Sequence, residues 1–355
     1  MSLLNNSSEL TSSCWTIQDA PGAGRGAFAT QTISAGETVM VADDLYAHVL
    51  FREYRGELCC NCFAYNLGEK QPVKDAPHGL AFCSEDCKAA YMSECDELSL
   101  QAHAAVTKLL KAKTKKQDIE TPQMRPSVSN IEKAWKEAEA KAHSIKKVRN
   151  IVQDGPVSKI DFKNLDRAMT TPASPDTISF LLSAVLAIYR SRNNQTCSQW
   201  SRVLNLEPDT TPYLSTDELN SYTASYLHLA MVLPEKMLPF ISSEMIHTLK
   251  TRETHNCFGI RSLTDGGSEF FGYGVWPSAS YFNHSCDHNV RKTRVGKMWV
   301  FEAMRDIPAG EQLCISYIGG EDSGEALGWR DKSTSFKEAW GFDHVCEKCQ
   351  LSQTM

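Results

Sequence analysis

Nine consecutive residues, Tyr281-Phe282-Asn283-His284-Ser285-Cys286-Asp287-His288-Asn289, carry two amides, two imidazoles, a hydroxyl, a thiol and a carboxylate. A core strand does not tolerate that many polar groups, because each one buried needs a partner. A surface loop rarely opens on Tyr-Phe after an apolar run such as Tyr273-Gly274-Val275-Trp276-Pro277. The segment reads as backbone held rigid beside a polar site. A buried turn with self-satisfied Asn and Ser side chains is the alternative.

The cysteines are a second source of chemistry. Cys59 and Cys62 form a C-x2-C pair, and Cys83 and Cys87 form a C-x3-C pair farther along. Two such pairs describe a tetrahedral structural zinc site, since a short gap lets a tight turn aim both thiolates at one metal. The second pair is expected at the start of a helix, with Ser84-Glu85-Asp86 in its first turn. The chain has 13 cysteines, and its N-terminus lacks the basic start and long apolar run of a signal peptide. An intracellular protein, nuclear or cytoplasmic, is expected, with thiols reduced and some used on metal.

The elements that position these groups follow from pattern. The 355 residues are 42% hydrophobic and 23% charged, an ordinary soluble composition with room for one large core or two. The net charge of -6 argues against a nucleic-acid-binding polycation; the basic run from Lys108 to Lys116 reads as a solvated helix face. The apolar run near Phe180–Tyr189 is too short to span a bilayer, and no membrane association is expected. Near the start, strands flank a glycine turn at Pro21–Gly26 and a second turn at Ala35-Gly36. Gly24-Arg25-Gly26 alone is weak evidence, without a dinucleotide fingerprint's spacing. Ser129–Glu132 fits a capping box opening an Ala-, Glu- and Lys-rich helix, and Ser215–Glu218 fits another. Ile178, Leu181, Leu182, Val185 and Leu186 recur at helical spacing. Strands return at Asn256–Ile260, Phe270–Pro277, Lys297–Ala303 and Gln312–Gly319.

Asn283-His284-Ser285-Cys286 followed by Asn289, the strand with Ile315-Ser316-Tyr317, Gly24-Arg25-Gly26 and a Cys-rich tail together resemble the SET-domain protein lysine methyltransferases. The cysteine pairs between the two halves resemble a MYND zinc finger, and the order resembles the SET and MYND domain family. The resemblance covers most of residues 14–350. It implies that Gly24, Arg25 and Gly26 form a turn lying against S-adenosylmethionine. Asn283 and His284 would bind that cofactor, Tyr317 would be catalytic and touch it, and Asn256 would contribute to its pocket. Phe258 and Trp340 would line the lysine channel, and Phe342 would cover the adenine. Cys286, His344, Cys346 and Cys349 would hold a tail zinc, with His344 where the family has cysteine. Two departures stand out. His288 replaces the usual proline, and the finger keeps four of the family's eight ligands, Cys59, Cys62, Cys83 and Cys87, which implies one zinc there and a second in the tail.

The expected fold class is therefore α+β, a β-rich SET core split by a zinc finger and a helical insert, with a zinc-binding post-SET tail. The expected parts are 14–55 and 256–320 for the SET core, 56–98 for the finger, 99–255 for the helical linker and insert, and 321–355 for the tail. This would be a short form, without the C-terminal helical domain of longer members. The expected function is S-adenosylmethionine-dependent methylation of a lysine on a partner protein, histone or non-histone, by a monomer. A catalytically silent interaction module is the alternative.

Overall fold

The computed structural model describes residues 14–112, 124–192, 199–263, 267–317 and Phe336. The chain opens with β1 (Trp15–Ala20) and β2 (Gly24–Ala29), an antiparallel hairpin. Its turn is at Pro21-Gly22-Ala23, so Gly24-Arg25-Gly26 lies on the returning strand rather than in the turn. Next come β3 (Thr38–Ala42) and β4 (Ala47–Leu50), then the finger: β5 (Val73–Asp75), β6 (Leu80–Phe82) and α1 (Glu85–Ser93). Helices follow: α2 (Glu97–Ala112), α3 (Val128–Val148), α4 (Lys159–Thr170), α5 (Pro175–Ser191), α6 (Gln199–Leu204), α7 (Thr216–Val232) and α8 (Ser243–Asn256). The chain then returns to strands: β7 (Cys257–Arg261), β8 (Phe270–Val275), β9 (Asn283–His284), β10 (Val290–Val295), β11 (Met298–Ala303) and β12 (Cys314–Ile315).

The two ends of the described chain share their sheets. β4 pairs with β8, which pairs with β7, and β3 pairs with β11, which pairs with β10. The β4–β8 crossing demands a glycine. Gly272 has φ +155°, and a Cβ there would stand 1.9 Å from the Val49 carbonyl oxygen, a contact no side chain permits. One core lies among these strands, around Trp276, Phe282, Phe301 and Ile315. A larger one joins the helices to the other side of β4 and β8. In α5, Ile178, Leu181, Leu182, Val185 and Leu186 are all buried, as their spacing predicts.

The caps refine the sequence reading. Ser215 accepts the Glu218 amide at 3.1 Å and opens α7 as expected. The helix expected to start at Ser129 instead starts at Val128, capped by Ser127, which accepts the Asn130 amide. Both serines carry a suitable hydroxyl, but Pro126 fixes the backbone ahead of Ser127 and favours the earlier start. Of the strand expected over Gln312–Gly319, the described residues up to Tyr317 are regular only at Cys314–Ile315. Among the described residues no single helix is long and apolar enough to cross a membrane.

Candidate active site and metal centre

Three segments far apart in sequence converge. β9 pairs in parallel with β12, Asn283 beside Cys314 and His284 beside Ile315. The segment before β12 also runs along β2: the Ala29 amide donates to Glu311 O at 2.9 Å, and the Leu313 amide to Ala27 O at 2.8 Å. Asn283 closes the triangle, its Nδ2 donating to Arg25 O at 3.2 Å. Asn289 is the strut beneath. It is buried, its Nδ2 donates to Gln312 O and Glu311 Oε1, and its Oδ1 accepts the Cys314 amide at 2.8 Å. The polar content of the opening segment is thus spent partly on framework, and one buried amide in such a place must be fully paired.

His284 links the pair to the tyrosine. The Tyr317 amide donates to His284 Nδ1 at 3.0 Å, and the two rings lie 5.5 Å apart. With Nδ1 accepting, a neutral imidazole carries its proton on Nε2, which stands 3.5 Å from Cys286 Sγ. The Phe336 ring also packs against the imidazole, with centroids 4.3 Å apart. Burial pushes the Tyr317 phenol above its ordinary value, with the Cys314 thiol adding to the effect.

Gly26 is where the site has room for nothing larger. A Cβ there would come 2.4 Å from Gln312 Nε2 and 2.8 Å from Asn283 Nδ2. Gln312 Nε2 is itself buried without a hydrogen-bond partner among the described residues. A glycine face beside Asn283 and an orphaned donor suits a polar ligand lying on that backbone. Gln312 was missed in the sequence, where a lone glutamine ahead of a short strand carries no spacing signal. Arg25 also reaches the helical insert, donating to Asn205 O and lying 5.6 Å over the Tyr281 ring.

Asn256 and Phe258 have other company. The Asn256 carboxamide donates to Arg252 O at 2.7 Å and Glu207 O at 3.2 Å, while the Asn256 backbone carbonyl accepts the Ser280 hydroxyl. Phe258 sits among Trp276 and Trp299, with the Lys292 ammonium 5.5 Å from its ring. The loop leading to Asn283 is tied down nearby by Asp44, which accepts both the Ser278 amide and hydroxyl. Trp340, Phe342, His344, Cys346 and Cys349 lie outside the described residues.

The finger gathers its ligands as the spacing predicts. Cys59, Cys62, Cys83 and Cys87 place their sulfurs within 4.8 Å of one another. Phe63 takes φ +59° to turn the first pair, and Ser84 accepts the Cys87 amide to start α1 behind the second. The Cys62 thiol hydrogen bond draws Cys59 down to about 4. Four thiols at this separation fit a tetrahedral Zn²⁺.

Comparison with known proteins agrees with this geometry. Residues 24–318 match the SET domain family. The chain belongs to that family. Among curated proteins it is 26% identical to "Potential protein lysine methyltransferase SET6" of Saccharomyces cerevisiae, over 94% of both chains. It is 21% identical to "N-lysine methyltransferase SMYD2-B" of Xenopus laevis over 94% of this chain and 60% of that one. A SET and MYND domain-containing protein of Dictyostelium discoideum is 37% identical over 30% of this chain and 25% of its own. The SET and MYND resemblance, the mixed fold and the four-cysteine cluster therefore stand together.

Proposed function

We propose that this chain methylates a lysine side chain of a partner protein, histone or non-histone, with S-adenosylmethionine as the methyl donor. Membership of the SET domain family and relatives named as lysine methyltransferases support the enzyme class. The observation that carries the cofactor reading is the Asn283–Arg25 hydrogen bond at 3.2 Å. It joins strands 258 residues apart and sets Gly26 against the side chains of Asn283 and Gln312.

The cofactor would supply an electrophilic methyl group on a cationic sulfur. The chain's part is alignment, which contributes about 7–11 kcal/mol when a reacting pair is held in line. Gly24, Arg25 and Gly26 would offer backbone to the cofactor, with Asn283, His284 and Gln312 supplying polar contacts. Tyr317 would orient the amine through its hydroxyl. Aromatic surroundings desolvate the lysine ammonium and ease loss of its proton before attack. In this reading the finger, the helical insert and the tail keep the boundaries 56–98, 99–255 and 321–355, and the tail zinc would tie Cys286 to the chain's end. This reading keeps the protein inside the cell, nuclear or cytoplasmic, where thiols stay reduced and free for metal.

Calorimetric titration of zinc-replete protein with S-adenosylmethionine tests the reading. Saturable binding is expected, weakened in Asn283→Ala by about 2 kcal/mol or more, the size of a charge-assisted hydrogen bond. No binding to folded wild-type protein would refute it and leave the interaction-module alternative.

The rate should depend on pH in one direction. Because burial holds the Tyr317 phenol protonated beyond its ordinary range, the rate should rise with pH as the substrate amine deprotonates, with no falling limb up to about pH 10. Tyr317→Phe should lower kcat by about a hundredfold while keeping the ascending limb. A falling limb that vanishes in Tyr317→Phe would show that the phenol ionises in the working range and sink the assignment.

A further inference from the structure

A cavity of about 680 Å³ lies between β4, the finger and helices α2 and α5. None of Gly26, Asn283, His284 and Tyr317 lines it, so it is separate from the methyl-transfer site. Its size is in the range that holds small organic ligands.

The lining is cationic. Arg55, Arg190, Arg202 and Lys297 face it against two carboxylates, Asp43 and Glu94. Arg55 is spent on the Leu50 carbonyl and the Ser179 hydroxyl. Arg190 stands 3.6 Å from Glu94, and Arg202 3.5 Å from the buried Asp44. The Lys297 ammonium has no carboxylate within ion-pair distance among the described residues. Burial holds His48 down to about 3, and Lys297 and Arg190 push it the same way. Burial likewise holds His103 down to about 4, with Arg190 again adding to it. Both imidazoles are therefore neutral near pH 7 and add no charge of their own to the lining.

Two buried polar atoms on this lining are unsatisfied. The Tyr46 hydroxyl and Arg202 Nε have no hydrogen-bond partner among the described residues, and Tyr46 is only 2% exposed. Burying a donor without a partner costs about 1–3 kcal/mol, and two residues of the lining, Tyr46 and Arg202, each carry such an atom. Val106, Leu110, Leu182 and Leu186 give part of the wall an apolar face, among polar side chains such as Ser183, Thr107 and Gln199. Water alone would leave the Lys297 ammonium without a counter-ion, and a bare inorganic anion would leave the apolar side chains uncovered.

We propose that this cavity binds a small organic anion. Its acid group, a carboxylate or a phosphate ester, would lie near Lys297 and Arg190 and accept from the Tyr46 hydroxyl. Its apolar body would rest on Leu182, Leu186 and Val106. The occupant would bridge the finger and the SET core, because Leu80 and Tyr91 of the one and Tyr46 and Val49 of the other share the wall. This site does not depend on the methyl-transfer reading.

The test titrates the full, zinc-loaded chain with phenyl phosphate, benzoate, inorganic phosphate and benzyl alcohol, and with S-adenosylmethionine on the same sample. One of the two aromatic acids should saturate, and whichever binds more tightly identifies the acid class. Inorganic phosphate and benzyl alcohol should each bind at least about tenfold more weakly. Lys297→Gln and Tyr46→Phe should each weaken the aromatic acid about tenfold, the worth of one charge-assisted hydrogen bond. Tyr46→Phe should melt no lower than wild type, since it removes an unsatisfied hydroxyl from a buried wall, and neither variant should change the S-adenosylmethionine titration. Absence of saturable aromatic-acid binding, equal binding of inorganic phosphate, or undiminished binding in either variant would overturn the proposal.

Discussion

Cys59→Ser is expected to release the finger's zinc and unfold the β5–β6 hairpin and α1 while the SET strands remain folded. The reason is how little else holds the finger. Its own core is Cys59, Leu80 and Phe82, with the other cysteines, Val73, Tyr91 and Met92 packed partly buried around it. Three buried side chains cannot offset the ordering of the segment from Val73 to Ser93, at about 1–2 kcal/mol per residue. Bound zinc in small structural sites contributes about 10–16 kcal/mol. The loss should stop short of the first knuckle. Phe63 is buried in the strand core and packs 5.1 Å from His48, and Gln71 Nε2 donates to Glu57 O and Ala64 O. Metal analysis with limited proteolysis reads both halves: zinc content should fall, and new cuts should appear between Val73 and Ser93 but not in β7 or β8. A strong chelator should reproduce the pattern in wild type. A metal-free finger that resists protease would show that packing alone suffices.

The sequence disclosed those parts of the molecule whose cause is local. Ile178 through Leu186 announced α5 because a helix buries a fixed period. The cysteine pairs announced the metal site because ligand geometry dictates spacing, and Ser84 announced the helix behind them. Asn283, His284 and Tyr317 take their site roles from resemblance, and the bonds of Tyr317 to His284 and of Asn283 to Arg25 follow only from the fold. Longer-range devices left no trace in composition or spacing. Asp44 anchors Ser278 across 234 residues, and Arg25 reaches Asn205 across 180. An aspartate in a loop or an exposed arginine beside glycine looks the same whether or not such a partner arrives. Gln312 and Tyr46 were invisible for a related reason, since an unsatisfied donor is defined by its surroundings. The short β12 reflects a parallel pairing of two residues, too brief to write a pattern.

Gly26→Val is expected to abolish measurable S-adenosylmethionine binding at little cost in stability, whereas Gly36→Ala is expected to do the reverse. At Gly26 the added Cβ clashes with the tips of two side chains, Gln312 Nε2 and Asn283 Nδ2, and meets the Ala20 Cβ at an ordinary contact of 3.4 Å. Those tips can swing away, so the strands need not move. But Asn283 would then leave Arg25 O and the face on which the cofactor would lie, and the valine itself would occupy that face. The expected loss is about 3 kcal/mol or more, near a hundredfold in affinity. Gly36 poses the opposite problem. Its φ is +79° with nothing within 4 Å of a Cβ, so space is free but the backbone conformation is wrong for an L side chain. It holds a turn at the end of β3 by donating to Ala303 O at 2.8 Å, away from Asn283. Alanine there should cost about 1–2 kcal/mol of stability and leave the titration unchanged. Thermal melts and calorimetry on both variants separate a glycine kept for the ligand from a glycine kept for the chain. If Gly26→Val bound the cofactor as wild type does, the cleft between β2 and β9 would not be its site, whatever the family resemblance suggests.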